Sequence, residues 1–106
     1  MFTINNIVWL LKFAPDYDSM LRRSDGSFAA GMCDNNTQTI YIDENLHGAR
    51  LKKVLCHELS HAAMFSYGVD LTLEQEEIVA DLIATYGEEI IHITNQLFHK
   101  LKNERI

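Results

Sequence analysis

His57-Glu58-Leu59-Ser60-His61 is the segment of this chain whose residue types and spacing can do chemistry. Positions i and i+4 of a helix share a face, so a helix here stacks two imidazoles one turn apart with a carboxylate beside them. That is half of a zinc peptidase site. Zinc in a catalytic site takes three protein ligands and keeps a fourth position for water, so one more ligand must come from elsewhere. Glu77 follows His61 by sixteen positions, and Asp81 lies four residues further on the same helical face. His57, His61 and Glu77 complete the ligand count, Glu58 is the candidate general base, and Asp81 is the candidate acceptor for a ligand imidazole N–H. Glu74 and Glu76 are rival third ligands, but neither has an acid four residues later.

Two helices must position these groups. Leu51, Val54, Leu55 and Cys56 precede the motif, Ala62, Ala63, Met64 and Phe65 follow it, and no proline or glycine interrupts Ala49 to Tyr67. This pattern predicts a helix buried on much of its surface, capped by Asn45 or Asp43 and ended at Gly68 with Asp70. Thr72 and Gln75 then form a capping box that opens a second helix, which runs through Ile78, Leu82, Ile90 and Leu97 to Phe98 with a candidate kink near Gly87. Ala80 and Ala84 are small enough to let it approach the first helix closely. The connection after His61 is long enough for the chain to turn and return antiparallel, carrying Glu77 to the metal from the opposite side.

Upstream, Thr37 to Asp43 reads as the clearest strand, with Thr39 and Tyr41 on one side and Ile40 and Ile42 on the other. A strand over Ser27 to Cys33 precedes it across the turn Asp34-Asn35-Asn36, making a hairpin from about Phe28 to Ile42. Asp16 to Arg23 suits a short helical turn. Ile4 to Phe13 is either a strand or a short buried helix, because a continuous apolar run has no diagnostic period.

The motif His57-Glu58-Leu59-Ser60-His61-Ala62 with Glu77-Ile78-Val79-Ala80-Asp81 resembles the gluzincin pattern, in which a glutamate of an E-x-x-x-D helix completes H-E-x-x-H. More closely, residues 26 to 98 are similar to small metallopeptidase-like proteins of bacterial prophages and mobile elements related to the ImmA/IrrE group. The likeness includes Thr39-Ile40-Tyr41-Ile42-Asp43 and Ile83-Ala84-Thr85-Tyr86-Gly87. It implies zinc, a minimal α+β zincin-like fold and, in some members, cleavage of a phage or stress-response repressor. In that fold a small antiparallel-containing sheet packs on the H-E-x-x-H helix and on a long C-terminal helix bearing the glutamate. Larger members read E-A-N-x-F-A after the motif, whereas this chain has Val79-Ala80-Asp81-Leu82-Ile83-Ala84.

In a zincin-like arrangement an edge strand beside the metal holds an extended peptide by backbone hydrogen bonds. One strand of the hairpin is the candidate, with Thr39, Ile40 and Tyr41 as substrate contacts. Trp9, Phe28, Tyr41 and Phe65 serve either a peptide groove or the core. Tyr67, Tyr86 and His92 are the donor types available to an oxyanion, and none is assigned to it.

At 106 residues and 47% hydrophobic, residues 1–106 suit a single zincin-like metallopeptidase domain with a modest core. Nine basic against fifteen acidic residues give a formal charge of -6, which repels a nucleic-acid backbone. Neither a secretion signal nor a membrane span is read from the N-terminal run, and Cys33 and Cys56 are too few for a disulfide scaffold, so the cytoplasm is expected. Residues 88 to 99 mix apolar and polar side chains; Ile90, Leu97 and one of Ile91 or Ile93 are expected to pack inward, and the rest to leave a strip for a weak homodimer. The function expected is a zinc-dependent endopeptidase acting on a specific protein, such as a cytoplasmic regulator. The alternative is a catalytically weak or inactive zinc-containing module that binds a regulatory protein partner, or a zinc staple closed by His47 or His92.

Overall fold

The computed structural model describes residues 1–15, 21 and 29–105. The expected helical turn at Asp16 to Arg23, apart from Leu21, and the expected strand start at Ser27 and Phe28 lie outside them. Four strands come first, β1 (Phe2–Ile4), β2 (Ile7–Ala14), β3 (Gly31–Asp34) and β4 (Thr39–Asp43), followed by two helices, α1 (Gly48–Ser66) and α2 (Leu73–Arg105).

The run from Ile4 to Phe13 is a strand, not a helix, but it does not begin where the apolar run suggested. Asn5 and Asn6 have φ of 51° and 63°, the positive pair that a two-residue hairpin turn requires and that asparagine tolerates. The chain therefore folds back there, and β1 pairs antiparallel with β2. β3 and β4 form the expected second hairpin, its turn held by Asp34, whose carboxylate accepts from the Asn36 N–H and the Thr37 hydroxyl, each at 2.9 Å. β2 joins β4 in parallel, so the sheet order is β1-β2-β4-β3.

One face of this mixed sheet carries α1. Trp9, Ile40, Ile42, Leu46 and Ala62 are buried together, with Leu51, Val54, Leu55 and Leu59 of α1 packed against them. Trp9 thus belongs to the core and not to a groove, and its indole N–H donates to the Ser66 hydroxyl at 2.8 Å. Asn5 reaches the same helix end, donating to the Ser66 carbonyl at 2.9 Å. These two bonds tie the first hairpin to the last turn of α1, so the sheet fixes the helix along its length.

The helix ends follow local chemistry. α1 starts at Gly48 with His47 at its N-cap and no side-chain capping bond. Asp43, expected as a cap, instead accepts from the Asn45 N–H at 2.9 Å in the turn after β4. At the other end Gly68 has φ +64°, and Val69 N–H reaches back to the Met64 carbonyl at 2.9 Å, the Schellman ending that a left-handed glycine permits. The Thr72–Gln75 capping box forms as expected, with reciprocal bonds of 3.1 and 3.0 Å. α2 then continues through Gly87 as one 33-residue helix.

α2 returns antiparallel to α1: Glu76 lies beside His61, Asp81 beside His57 and Glu88 beside Lys52. Ala80, fully buried, stands at the contact. Past Glu88 the helix outruns α1, and the molecule measures 57 × 29 × 28 Å. Ile90, Ile91, Ile93 and Leu97, of which three were expected to pack inward, are all exposed, because α1 begins opposite Glu88 and offers them no surface. Among the described residues no helix is long and apolar enough to cross a membrane.

Candidate metal centre

α1 sets the first half of the site. His57 and His61 are four residues apart on the side of α1 turned toward α2, and their Nε2 atoms approach to 3.2 Å. α2 brings the Glu77 carboxylate against both, with Oε1 2.9 Å from His61 Nε2 and Oε2 3.2 Å from His57 Nε2. One ligand atom from each of these three residues lies within 4.8 Å of the others. This cluster includes neither His47 nor His92.

Each ring is oriented from behind. His57 Nδ1–H donates to Asp81 Oδ1 at 3.0 Å, and His61 Nδ1–H donates to Glu76 Oε1 at 2.6 Å. A carboxylate on Nδ1 holds the proton there and leaves the Nε2 lone pair free. The consequence is a convergence of acceptors, two imidazole lone pairs and a carboxylate, with no donor among them. Such a set is satisfied only by a cation or by extra protons. A tetrahedral zinc with ligands at about 2.0–2.1 Å sets those ligands about 3.3 Å apart, close to the 2.9–3.2 Å found here. The residues present therefore fit a metal ion.

Glu58 lies on the cleft side of α1 and is buried. Burial pushes its carboxyl above the ordinary range and Glu77 adds to this, while His57 and His61 oppose it. β3 crosses directly over it: a methyl group at position 31 would stand 2.9 Å from Glu58 Cγ and from Val54 Cγ1, so only glycine lets the strand backbone pass. The cleft in front holds about 470 Å³ and is lined by Gly31, Met32 and Cys33 of β3, by His57, Glu58, His61 and Phe65 of α1, and by Leu73, Glu76 and Glu77 of α2. Cys33 has its thiol pushed up to about 12 by burial, with the charges of Glu58, Glu76 and Asp34 adding to it.

The expected substrate contacts Thr39, Ile40 and Tyr41 lie elsewhere. They belong to β4, which is paired with β2 on one side and β3 on the other, and Thr39 and Ile40 are buried. An interior strand has no free backbone groups to offer a peptide. The strand that borders the cleft is β3, which has only β4 beside it among the described residues. Tyr67, Tyr86 and His92 do not line the cleft. Sequence reasoning weighed Glu76 only as a rival ligand. Its burial was legible from Ala80, its i+4 neighbour on the face that α1 must contact. Gly31, at the end of the small-residue run Ala29-Ala30-Gly31, had also gone unremarked.

An H-E-x-x-H helix whose histidines meet a glutamate from a following antiparallel helix, beneath a small mixed sheet, defines a gluzincin-like fold. The chain belongs to the peptidase family described as the IrrE N-terminal-like domain, which it matches over residues 12–104. No curated protein and no solved structure matches it. Membership of this family together with the His-His-Glu cluster supports metal-dependent hydrolase activity in general terms.

Proposed function

We propose that this protein is a zinc-dependent endopeptidase that cleaves a specific protein substrate in extended conformation. The observation that carries the reading is the convergence of His57 Nε2, His61 Nε2 and the Glu77 carboxylate beside buried Glu58 in an open cleft. Zinc bound to these three residues would acidify a water molecule and polarise the scissile carbonyl. Glu58 takes the proton from that water and passes it to the leaving amine nitrogen, a role suited by a carboxyl whose proton affinity burial has raised. Asp81 and Glu76 keep both imidazole protons on Nδ1, so the rings remain ligands through the cycle.

The substrate strand is assigned to the open edge of β3, next to Gly31, where backbone pairing supplies affinity and register. The cleft walls are few, so selectivity comes from a folded surface of the substrate protein and not from deep pockets. A cytoplasmic regulator or repressor is a fitting target, and two unpaired cysteines suit a reducing compartment. A second reading rests on one observation: no tyrosine or histidine other than the ligands lines the cleft to steady an oxyanion. On that reading the zinc-loaded chain binds a partner without cutting it.

The deciding experiment compares zinc-loaded wild type with E58Q in cells by cataloguing newly generated protein N-termini. Cleavage products present only with wild type support the peptidase. Identical catalogues from two equally expressed, equally metallated proteins overturn it in favour of the binding module.

A further inference from the structure

From Glu88 to Glu104 every residue of α2 is exposed, yet this stretch is not polar. Ile90, Ile91, Ile93, Leu97, Phe98 and Leu101 are 43–66% exposed, and by helical spacing most fall on one broad face. They leave roughly 700 Å² of side-chain surface open, more than the largest patch of about 300–600 Å² on a typical monomer. The radius of gyration, 16.3 Å, also exceeds the about 13 Å of a compact chain of this length. This helix end is built to be covered.

A receiving surface lies on the same molecule. Where α2 leaves α1, an apolar groove of about 640 Å³ is lined by Cys56, Leu82, Ile83, Gly87, Ile90 and Ile91, with Lys52 and Glu88 at its rim. Gly87 opens its floor. A methyl group there would meet only the Ile83 side chain, at 3.3 Å, so the missing side chain is not demanded by the fold of the single chain. Groove and projecting helix thus have complementary shapes and neither is filled.

We propose that two copies of this chain pair antiparallel through α2 about a two-fold axis near Thr94, each seating Phe98 and Leu101 in the groove at the other's Gly87. Charge selects this direction. Glu88 and Glu89 stand at the root of the projecting segment, and Lys100, Lys102 and Arg105 stand at its tip. Antiparallel pairing sets Glu88 of one copy opposite Lys100 of the other, Ile90 opposite Phe98 and Ile91 opposite Leu97. Parallel pairing would set acid on acid and base on base. The apolar strip and the groove together reach the about 800 Å² that each partner gives to a stable interface. The contact is isologous and closes on itself, so it makes dimers and not fibres. Glu77 lies seventeen residues from Thr94, about 25 Å along the helix, so the two clefts open at opposite ends of the pair.

The test uses full-length, metal-loaded protein in sedimentation velocity, with metal content and circular dichroism as controls. Wild type is expected to approach twice 12.2 kDa at high concentration and to dissociate on dilution. L97E, which places charge at the centre of the strip, and G87L, which fills the groove with a better helix former, should each sediment as monomers with helix and metal retained. E88K and K100E should each weaken the dimer several-fold, and the E88K/K100E double variant should restore it, because the swapped charges again face each other. A wild type that stays at 12.2 kDa at every concentration overturns the proposal, as does a dimer indifferent to both L97E and G87L. Failure of the charge swap to restore pairing overturns the antiparallel register.

Discussion

His61 and His57 receive the same support in unlike surroundings. Each donates Nδ1–H to a carboxylate of α2, but the Glu76 side chain on the inner side is 11% exposed whereas that of Asp81 on the outer side is 69% exposed. Distance follows burial, 2.6 Å inside and 3.0 Å outside. In a low-dielectric interior a charge-assisted bond is strong when made and costly when broken, while the same pair in water is weakly held and replaceable. The inner carboxylate therefore serves both fold and site. The outer one serves the site alone.

The largest effect bears on what both sides share. E77A removes the ligand common to the two histidines and should weaken zinc retention by more than about 100-fold, the upper range for loss of a mere ring-orienting partner. Metal analysis after dialysis against a weak chelator reads this directly, and wild-type retention by E77A would end the ligand assignment. Next comes E76A. It leaves His61 Nδ1–H buried without an acceptor, which should cost about 1–3 kcal/mol in urea unfolding of the metal-free protein and weaken zinc toward the about 100-fold limit.

D81A should fall below it, near about 10-fold in zinc affinity, with unfolding free energy within about 0.5 kcal/mol of wild type. Equal stability losses for E76A and D81A would erase the contrast between the two sides. A smaller effect of opposite sign is expected at Glu58. Its folded-state carboxyl is raised, mainly by burial, so the favourable protonated state is present below the ordinary range near 4.5 and lost as pH rises through the folded value. At neutral pH the buried charge costs stability, and metal-free E58Q should melt above wild type while losing hydrolysis. A melting point for E58Q at or below that of wild type would count against the burial argument.

The smallest change sharpens the inner side. Cys33 borders it with a thiol held up to about 12, compared with 9.0 for a free one, so alkylation at mildly alkaline pH should be much slower than for a peptide thiol. E76Q removes one of the charges responsible and should speed it modestly. The same shift has a linkage sign: the folded thiol's advantage is complete below pH 9.0 and fades as pH rises toward about 12.

Much of the site was legible because it is local. The i, i+4 spacing of His57 and His61 and the same-face spacing of Glu77 and Asp81 follow from helix geometry alone, and the Thr72–Gln75 box marks where the second helix starts. What escaped depends on contacts between distant segments. Which strand lies at the sheet edge is decided by β2 inserting beside β4, and nothing within Thr37 to Asp43 records that neighbour. Gly31 matters because of Glu58, twenty-seven residues away, and Glu76 because of the face α1 happens to cover. The exposed end of α2 has an amphipathic pattern that implies burial, and the sequence of one chain does not say against what. Asn5-Asn6 is different, since a paired positive-φ turn was within reach of turn chemistry but was read only for what it lacked as a leader.

The parallel pairing of β2 with β4 also sets an order of events. Leu10 pairs with Thr39, so the sheet closes only after a long loop has been brought together, whereas α1 and α2 are joined by six residues and meet almost at once. His57, His61 and Glu77 all belong to the early unit. Gly31 reaches Glu58 only when the late unit docks. A folding chain therefore assembles its metal ligands before it roofs them, and the ion can enter from open solvent and template the remaining collapse, without needing a channel into a finished cleft.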